Sequence, residues 1–139
     1  MIKELDKLDN ISITELNSSF NYVLKDVSKD LSDNPFSHYL LFIEENKIVG
    51  YLNYYLIYDR IEIANFNVLD KYQNKGIGTR LLDYLIKKYP DIVNITLEVR
   101  CDNTKAIHVY EKMGFIKKAI RKGYYSGVDG LLLELGMRK

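Results

Sequence analysis

Ile61-Glu62-Ile63-Ala64-Asn65-Phe66-Asn67-Val68 is an apolar run, and Gln73-Asn74-Lys75-Gly76-Ile77-Gly78 stands shortly after it. An amphipathic stretch, Ile77 to Tyr89, completes the pattern. Its residues Ile77, Leu81, Leu82, Leu85, Ile86 and Tyr89 share one side, and Arg80, Asp83, Lys87 and Lys88 lie mainly on the other. Pro90 stops it. The layout is strand, glycine turn, helix. Two glycines spaced i, i+2 let backbone amides turn toward an anion without obstruction by Cβ. A helix starting there adds the positive end of its dipole. The turn therefore reads as a diphosphate-binding turn, with an ordinary strand-to-helix turn as the alternative.

Downstream, Ile92 to Val99 forms the next strand. Ile95, Leu97 and Val99 take one face, and Asn94, Thr96 and Glu98 the other. Glu98 is an unusual residue for a buried strand. Asp102-Asn103-Thr104 is a helix N-cap cluster. The helix carries Ala106, Ile107, Tyr110 and Met113, with Gly114 at its end and Phe115 behind it. Two strands close the chain, about Phe115 to Lys122 and Leu131 to Met137, with Ser126 to Gly130 in the loop between them.

Upstream, Ile2 and Leu5 mark a short first strand. Asp9 or Asn10 caps a helix with Ile13, Leu16 and Phe20 at helical spacing. A second helix spans Val23, Leu24, Val27 and Leu31, and Ser32 to Pro35 is a loop. His38 to Ile43, Glu44 to Lys47, and Ile48 to Ile57 read as strand, tight turn, strand. Gly50 inside the second strand signals a bulge or a close approach. After a turn at Tyr58-Asp59-Arg60, the strand over 61–69 alternates imperfectly, which predicts burial on both faces. The order is β-α-α-β-β-β-α-β-α-β-β. It predicts an α+β fold of about seven strands and four helices. The sheet is mixed and mostly antiparallel, with a central parallel crossover between 61–69 and 92–99.

The chain has 139 residues, which suits one domain, 1–139, with one core. Its net charge of +1 implies no broad basic face for nucleic acid. Cys101 is the one cysteine, so no internal disulfide forms, as in a reducing cytosol. With only His38 and His108 beside it, no metal site is expected. No apolar run approaches the ~18 residues of a membrane span. The residues from Met1 to Asp9 lack the apolar core of a signal peptide. The expected location is the cytoplasm, away from membranes.

This element order, with Gln73-Asn74-Lys75-Gly76-Ile77-Gly78 after its central strand, resembles the GNAT family of N-acetyltransferases. Their acyl-CoA pattern, Gln/Arg-x-x-Gly-x-Gly/Ala, is matched in full. A second stretch, Asn103-Thr104-Lys105-Ala106-Ile107 through Tyr110-Glu111-Lys112 to Gly114-Phe115, resembles the family's downstream helix. Together the likeness covers roughly 36–137. Leu97-Glu98-Val99-Arg100, then Asn103, Ala106, Tyr110 and Gly114-Phe115, then Arg121-Lys122-Gly123-Tyr124-Tyr125, resembles the RimI-type members. Those acetylate protein N-termini, with the N-terminal alanine of ribosomal protein S18 as their named substrate. Two features depart from that type. The usual Glu-Asp-Ala near the final strand reads Val128-Asp129-Gly130, and Asn34-Pro35-Phe36 is the nearest analogue of a Pro-Trp landmark.

The resemblance implies a splayed central parallel pair, acetyl-CoA as cosubstrate with no metal, and a protein or peptide N-terminus as acceptor. A monomer or a homodimer is the expected assembly. The diphosphate would take amides from Asn74, Lys75, Gly76, Ile77, Gly78 and Thr79, with charge from Lys75 and Arg80. Pantetheine would pair with the strand edge at Phe66, Asn67 and Val68, and would touch Asn103. The Val68 amide would polarise the thioester carbonyl.

An α-amine titrating near 7.7–8.0 costs under about 1 kcal/mol to deprotonate at cytosolic pH, while lysine at about 10.4 costs roughly 4. A carboxylate must be raised by its surroundings, or act through water, to serve as base. The RimI-type likeness gives that role to Glu98; a salt-bridged strand end, with Arg100 as partner, is the structural alternative. Glu62, near the start of the preceding strand, is the rival, because other GNAT enzymes place their base there. Tyr110 would protonate the departing thiolate, and Tyr124 and Tyr125 would line the peptide groove. Acetylation of a small amine or a lysine, and acyl-CoA binding without chemistry, are the competing functions.

Overall fold

The computed structural model describes residues 1–24 and 26–137. Its elements are β1 (Ile2–Glu4), α1 (Asn10–Ser19), α2 (Val27–Asp33), β2 (Ser37–Glu44), β3 (Lys47–Ile57), β4 (Arg60–Val68), α3 (Ile77–Lys88), β5 (Asn94–Arg100), α4 (Thr104–Lys112), β6 (Ile116–Tyr125) and β7 (Val128–Gly136). A short 3₁₀ turn, Asp70–Tyr72, precedes α3. The strands form one sheet in the order β1-β2-β3-β4-β5-β7-β6. The registers of β1–β2, β2–β3, β5–β7 and β6–β7 are antiparallel, and that of β4–β5 is parallel. This is the mixed α+β fold that the element order predicts. Among the described residues, no helix is long and apolar enough to cross a membrane.

The chain divides into two units. One comprises Met1–Leu56 and Ala64–Lys88; the other comprises Ile57–Ile63 and the chain from Tyr89 onward. In the first, Tyr39, Leu41, Ile48 and Tyr51 pack with Ile13, Leu16 and Phe20 of α1 and with Leu24 and Val27. Asp9 caps α1 by accepting from the Ser12 amide at 3.0 Å. The helix expected over Val23 and Leu24 starts only at Val27. The Val23 and Leu24 amides instead bond the Phe20 carbonyl in a turn, and extended Asp26 caps α2 from the Lys29 amide. Leu24 and Val27 are both buried, so their spacing mimics a helix that the Asp26 cap begins later.

The β2–β3 hairpin turns on Glu45 and Asn46, with φ of 50° and 63°. Two residues in the left-handed region match the twist of a tight hairpin. Phe42 pairs with Gly50 and Ile43 with Ile48, which leaves Val49 as an extra residue. Gly50 beside it is also a close approach. A Cβ there would stand 3.3 Å from the Asn67 carbonyl oxygen and from Ile77 and Val68 methyls. The extra residue is used as well, since the Val49 carbonyl accepts from the Leu69 amide at 2.9 Å.

Two expectations are corrected in the second unit. The start of β4 has Ile61 buried between exposed Arg60 and Glu62, so burial on both faces does not hold there. The final hairpin has a two-residue turn, Ser126-Gly127, at φ of 47° and 95°, and Val128 to Gly130 belong to β7 rather than to a loop. The polar look of Val128-Asp129-Gly130 arises because Asp129 bonds the Gly123 amide across the hairpin.

Gly50→Ala should lower the unfolding free energy by about 1–3 kcal/mol, because the contacts it would crowd include backbone. Urea denaturation followed by circular dichroism measures this, and an unchanged midpoint would refute the tight approach.

Candidate active site

Within the first unit, β4 ends at Val68 and α3 begins at Ile77. Asn74 and Gly76 between them have φ of 64° and 79°. A Cβ at Gly76 would meet nothing within 4 Å, so this glycine answers the backbone angle and leaves open space in front of the turn. Gly78 differs: its Cβ would make ordinary contact with the Phe66 ring at 3.4 Å, which suits a position where glycine or alanine serves. The Arg80 amide makes its helical bond back to the Gly76 carbonyl at 3.0 Å. The amides of Ile77, Gly78 and Thr79 lie in the first helical turn, where intrahelical acceptors are lacking. Gln73 ties the turn to the strand, donating from Nε2 to the Val68 carbonyl at 3.0 Å. Lys75 lies over the Tyr72 ring at 5.4 Å, and Arg80 over the Phe42 ring at 4.7 Å. Phe66, Asn67 and Val68 are half-buried at the end of β4. The Val68 amide, expected to meet a carbonyl oxygen of the ligand, donates to Asn67 Oδ1 at 3.1 Å.

Within the second unit, the β4–β5 register pairs Arg60 with Asn94, Ile61 with Ile95 and Glu62 with Thr96. Paired residues share a face, and Glu98 lies two residues past Thr96, so Glu62, Thr96 and Glu98 project from the same side. Glu62 is exposed, whereas the Glu98 side chain is 22% exposed. Glu98 accepts from Arg121 Nη1 at 2.6 Å. The salt-bridged strand end weighed against the base role is therefore formed, but with Arg121 of β6 rather than with Arg100, whose fork closes on Asp102 with bonds of 3.0 and 2.9 Å. That fork holds the Asp102 carboxyl below its ordinary range. The Glu98 bond raises the Arg121 guanidinium further. Spacing could not reveal the Arg121 contact, because it depends on the β5–β7–β6 strand order.

Asn103 caps α4, accepting from the Ala106 amide at 3.3 Å through Oδ1. The other end of α4 fixes Tyr110. The Phe115 amide bonds the Tyr110 carbonyl and the Gly114 amide bonds the Glu111 carbonyl, each at 3.0 Å. This is a Schellman closure, with Gly114 at φ 100° and the usual apolar contact formed by the Tyr110 and Phe115 rings, 5.7 Å apart. Burial pushes the Tyr110 hydroxyl up to about 12. Tyr124 and Tyr125 meet edge-on at 4.9 Å, with Arg121 stacked on Tyr124 at 3.9 Å. Burial first, then the Glu98 charge, raises Tyr125. Among the described residues, no group of three or more His, Cys, Asp or Glu side chains is placed to hold a metal ion.

The sequence model of the acetyltransferase (GNAT) family matches residues 5–115. The chain belongs to that family. It is an N-acetyltransferase with acetyl-CoA as cosubstrate. The GNAT chain is 32% identical over 106 residues to the ribosomal protein bS18-alanine N-acetyltransferase of Escherichia coli K12, covering 73% of this chain and 72% of that protein. It is 31% identical over 151 aligned positions to the N-alpha-acetyltransferase of Saccharolobus solfataricus, covering 93% and 87%. The crystal structure of the ribosomal-protein-S18-alanine N-acetyltransferase from Escherichia coli superposes with a TM-score of 0.84 at 22% identity, over 100% of this chain and 96% of that one. That likeness shows the GNAT fold.

Gly114→Ala should cost about 1 kcal/mol or more, because φ of 100° strains any Cβ, and this one would stand 3.2 Å from Leu135. The closure it breaks holds Tyr110, the expected acid, so kcat should fall more than the affinity for acetyl-CoA. Thermal melts with steady-state kinetics measure both, and a stability loss without a kcat loss would show that the closure does not set Tyr110.

Proposed function

We propose that this GNAT enzyme acetylates the N-terminal α-amine of a protein, with the N-terminal alanine of ribosomal protein bS18 as the leading acceptor. Residues 1–139 act as one N-acetyltransferase domain in the cytoplasm. One observation carries this reading: relatives covering most of the chain are themselves named for transfer to an α-amine or to the bS18 alanine. The half-buried Glu98 and the tyrosine pair beside its arginine partner supply groups suited to such an acceptor.

In this reading the diphosphate binds the amides of Asn74 through Thr79, and Lys75 and Arg80 add positive charge. Pantetheine pairs with the Phe66–Val68 edge, and the Asn103 carboxamide meets it while Oδ1 keeps its cap. The thioester oxygen takes over the Val68 amide from the Asn67 carboxamide. The neutral amine attacks the acetyl carbon, so a C–N bond forms and the C–S bond then breaks. The proton lost by nitrogen passes to Glu98, directly or through one water. Tyr110, kept protonated by burial, donates to the departing sulfur. Glu62, exposed on the same face beside Thr96, is the rival base.

The test is thiol release with a DTNB readout, using a peptide that carries the bS18 N-terminus, a lysine peptide with a blocked N-terminus, and polyamines. Turnover should require a free α-amine. Release with polyamines alone would move the acceptor to small amines, and acetyl-CoA binding without any turnover would leave a binding module. Glu98→Gln should lower kcat/KM by about 10²-fold or more, the scale of general base catalysis. Wild-type kcat/KM in Glu98→Gln with loss in Glu62→Gln would reverse the assignment. Gly76→Ala should weaken acetyl-CoA about tenfold and cost about 1 kcal/mol of stability, because φ of 79° strains any Cβ even with no atom within 4 Å. Unchanged affinity would displace the diphosphate from this turn.

A further inference from the structure

Two arginines stand in one row of the second unit, and each meets a carboxylate in a different way. Arg100 of β5 pairs with Gly130 of β7, which pairs in turn with Arg121 of β6. Paired residues share a face, so both arginines lie on the face of Glu98, two residues before Arg100 on β5. Arg100 closes on Asp102 with two bonds, Nε to Oδ1 at 3.0 Å and Nη2 to Oδ2 at 2.9 Å. That fork occupies both carboxylate oxygens. Arg121 reaches across β7 and meets Glu98 through one nitrogen and one oxygen, Nη1 to Oε1 at 2.6 Å. Among the described residues, Glu98 Oε2 accepts no bond.

The guanidinium has a second contact. It lies 3.9 Å from the Tyr124 ring centre, within cation–π range. Stacking restricts the long arginine side chain, so the donor offered to Glu98 has a fixed place. Folding gains little from this pair. The Arg121 side chain is 52% exposed, and ion pairs this open to water add little to stability. What the contact does decide is where the Glu98 carboxylate points. A base must present a free lone pair within hydrogen-bond reach of the proton it takes. A glutamate held at one oxygen and open at the other meets that need, whereas a fork like the one on Asp102 would not.

We propose that Arg121 is a positioning residue for the base: by holding Glu98 Oε1 it fixes the carboxylate and leaves Oε2 to take the proton of the acceptor amine. This rests on the reading of Glu98 as base. The amine nitrogen loses its proton to Oε2, directly or through one water, as its lone pair forms the C–N bond. Arg121 keeps all its protons and touches neither acceptor nor cosubstrate, so its effect runs through Glu98.

The experiment measures kcat and KM for the bS18 N-terminal peptide, and KM for acetyl-CoA, in Arg121→Ala, Glu98→Gln and the double variant, with a thermal melt of each. Arg121→Ala should lower kcat about tenfold or more, the scale on which a misplaced catalytic group acts, and leave the acetyl-CoA KM within about twofold. In the Glu98→Gln background, which has no base to place, adding Arg121→Ala should change kcat by less than about twofold. If Glu98→Gln alone keeps wild-type kcat/KM, the base reading fails and this inference falls with it. If Glu98→Gln lowers kcat but Arg121→Ala does not, Glu98 stands as base and the Arg121 inference is overturned. An equal Arg121→Ala loss with and without Glu98 also overturns it, as does a rise in peptide KM at unchanged kcat, which would assign Arg121 to acceptor binding. Should Arg121→Ala melt too low for assay, Arg121→Met, which keeps an apolar stem beside Tyr124 and loses the guanidinium, is judged by the same change in kcat.

Discussion

The absence of a Cβ at Gly50 governs how near three elements of the first unit can come. The carbonyl of Asn67 and side chains of Val68 and Ile77 all converge on that one hydrogen. A methyl group could not be absorbed there by a rotamer change, because one of the neighbours is backbone. The same spot is where β3 carries its extra residue, whose carbonyl takes the Leu69 amide. The end of β4 and the start of α3 are thereby fixed against β3. Gln73 then spans the short gap between them by bonding the Val68 carbonyl. The open turn at Gly76 has its place because a glycine two strands away in sequence has no side chain.

The second unit uses the same economy at Gly114. That glycine closes α4 with two backbone bonds, and the ring contact that accompanies them belongs to Tyr110. A residue with no functional group thus decides where an aromatic residue with one can lie. Charge is arranged in the same way. Arg100 and Arg121 flank Gly130 in register, yet one is held by Asp102 and the other by Glu98. Fixing Arg100 locally leaves Arg121 for the half-buried carboxylate.

Sequence reading recovered whatever depends on neighbours along the chain. The Asp9 and Asn103 caps, the Gly114 terminus, the α3 stripe and the glycine turn are all local signals, and each is present. Gly50 was legible as a bulge or a close approach, and it is both. What stayed hidden depends on pairing. The ion pair weighed as the alternative for Glu98 placed its partner two residues away on its own strand, but β7 and then β6 follow β5 in the sheet and bring Arg121 to it. The last turn looked five residues long because Asp129 and Gly130 are turn formers by composition. The polarity of Asp129 serves the Gly123 amide instead. The engagement of the Val68 amide by the Asn67 carboxamide likewise has no trace in spacing.

The proposed acid, Tyr110, is constrained by its own surroundings. Burial holds its hydroxyl up to about 12, so it is fully protonated at neutral pH. A thiol titrates near 8.5. Complete proton transfer from Tyr110 to a thiolate would therefore run uphill. The burial that keeps the proton on Tyr110 also makes it reluctant to leave. The role that fits both facts is hydrogen-bond donation to the sulfur as negative charge develops, where a desolvated donor is strong. Water can complete the protonation after release, or the thiolate can persist until then, since the leaving group needs little help at this acidity. On the proposed role, Tyr110→Phe should remove a stabilising bond rather than an obligatory proton, so the reaction should slow without stopping.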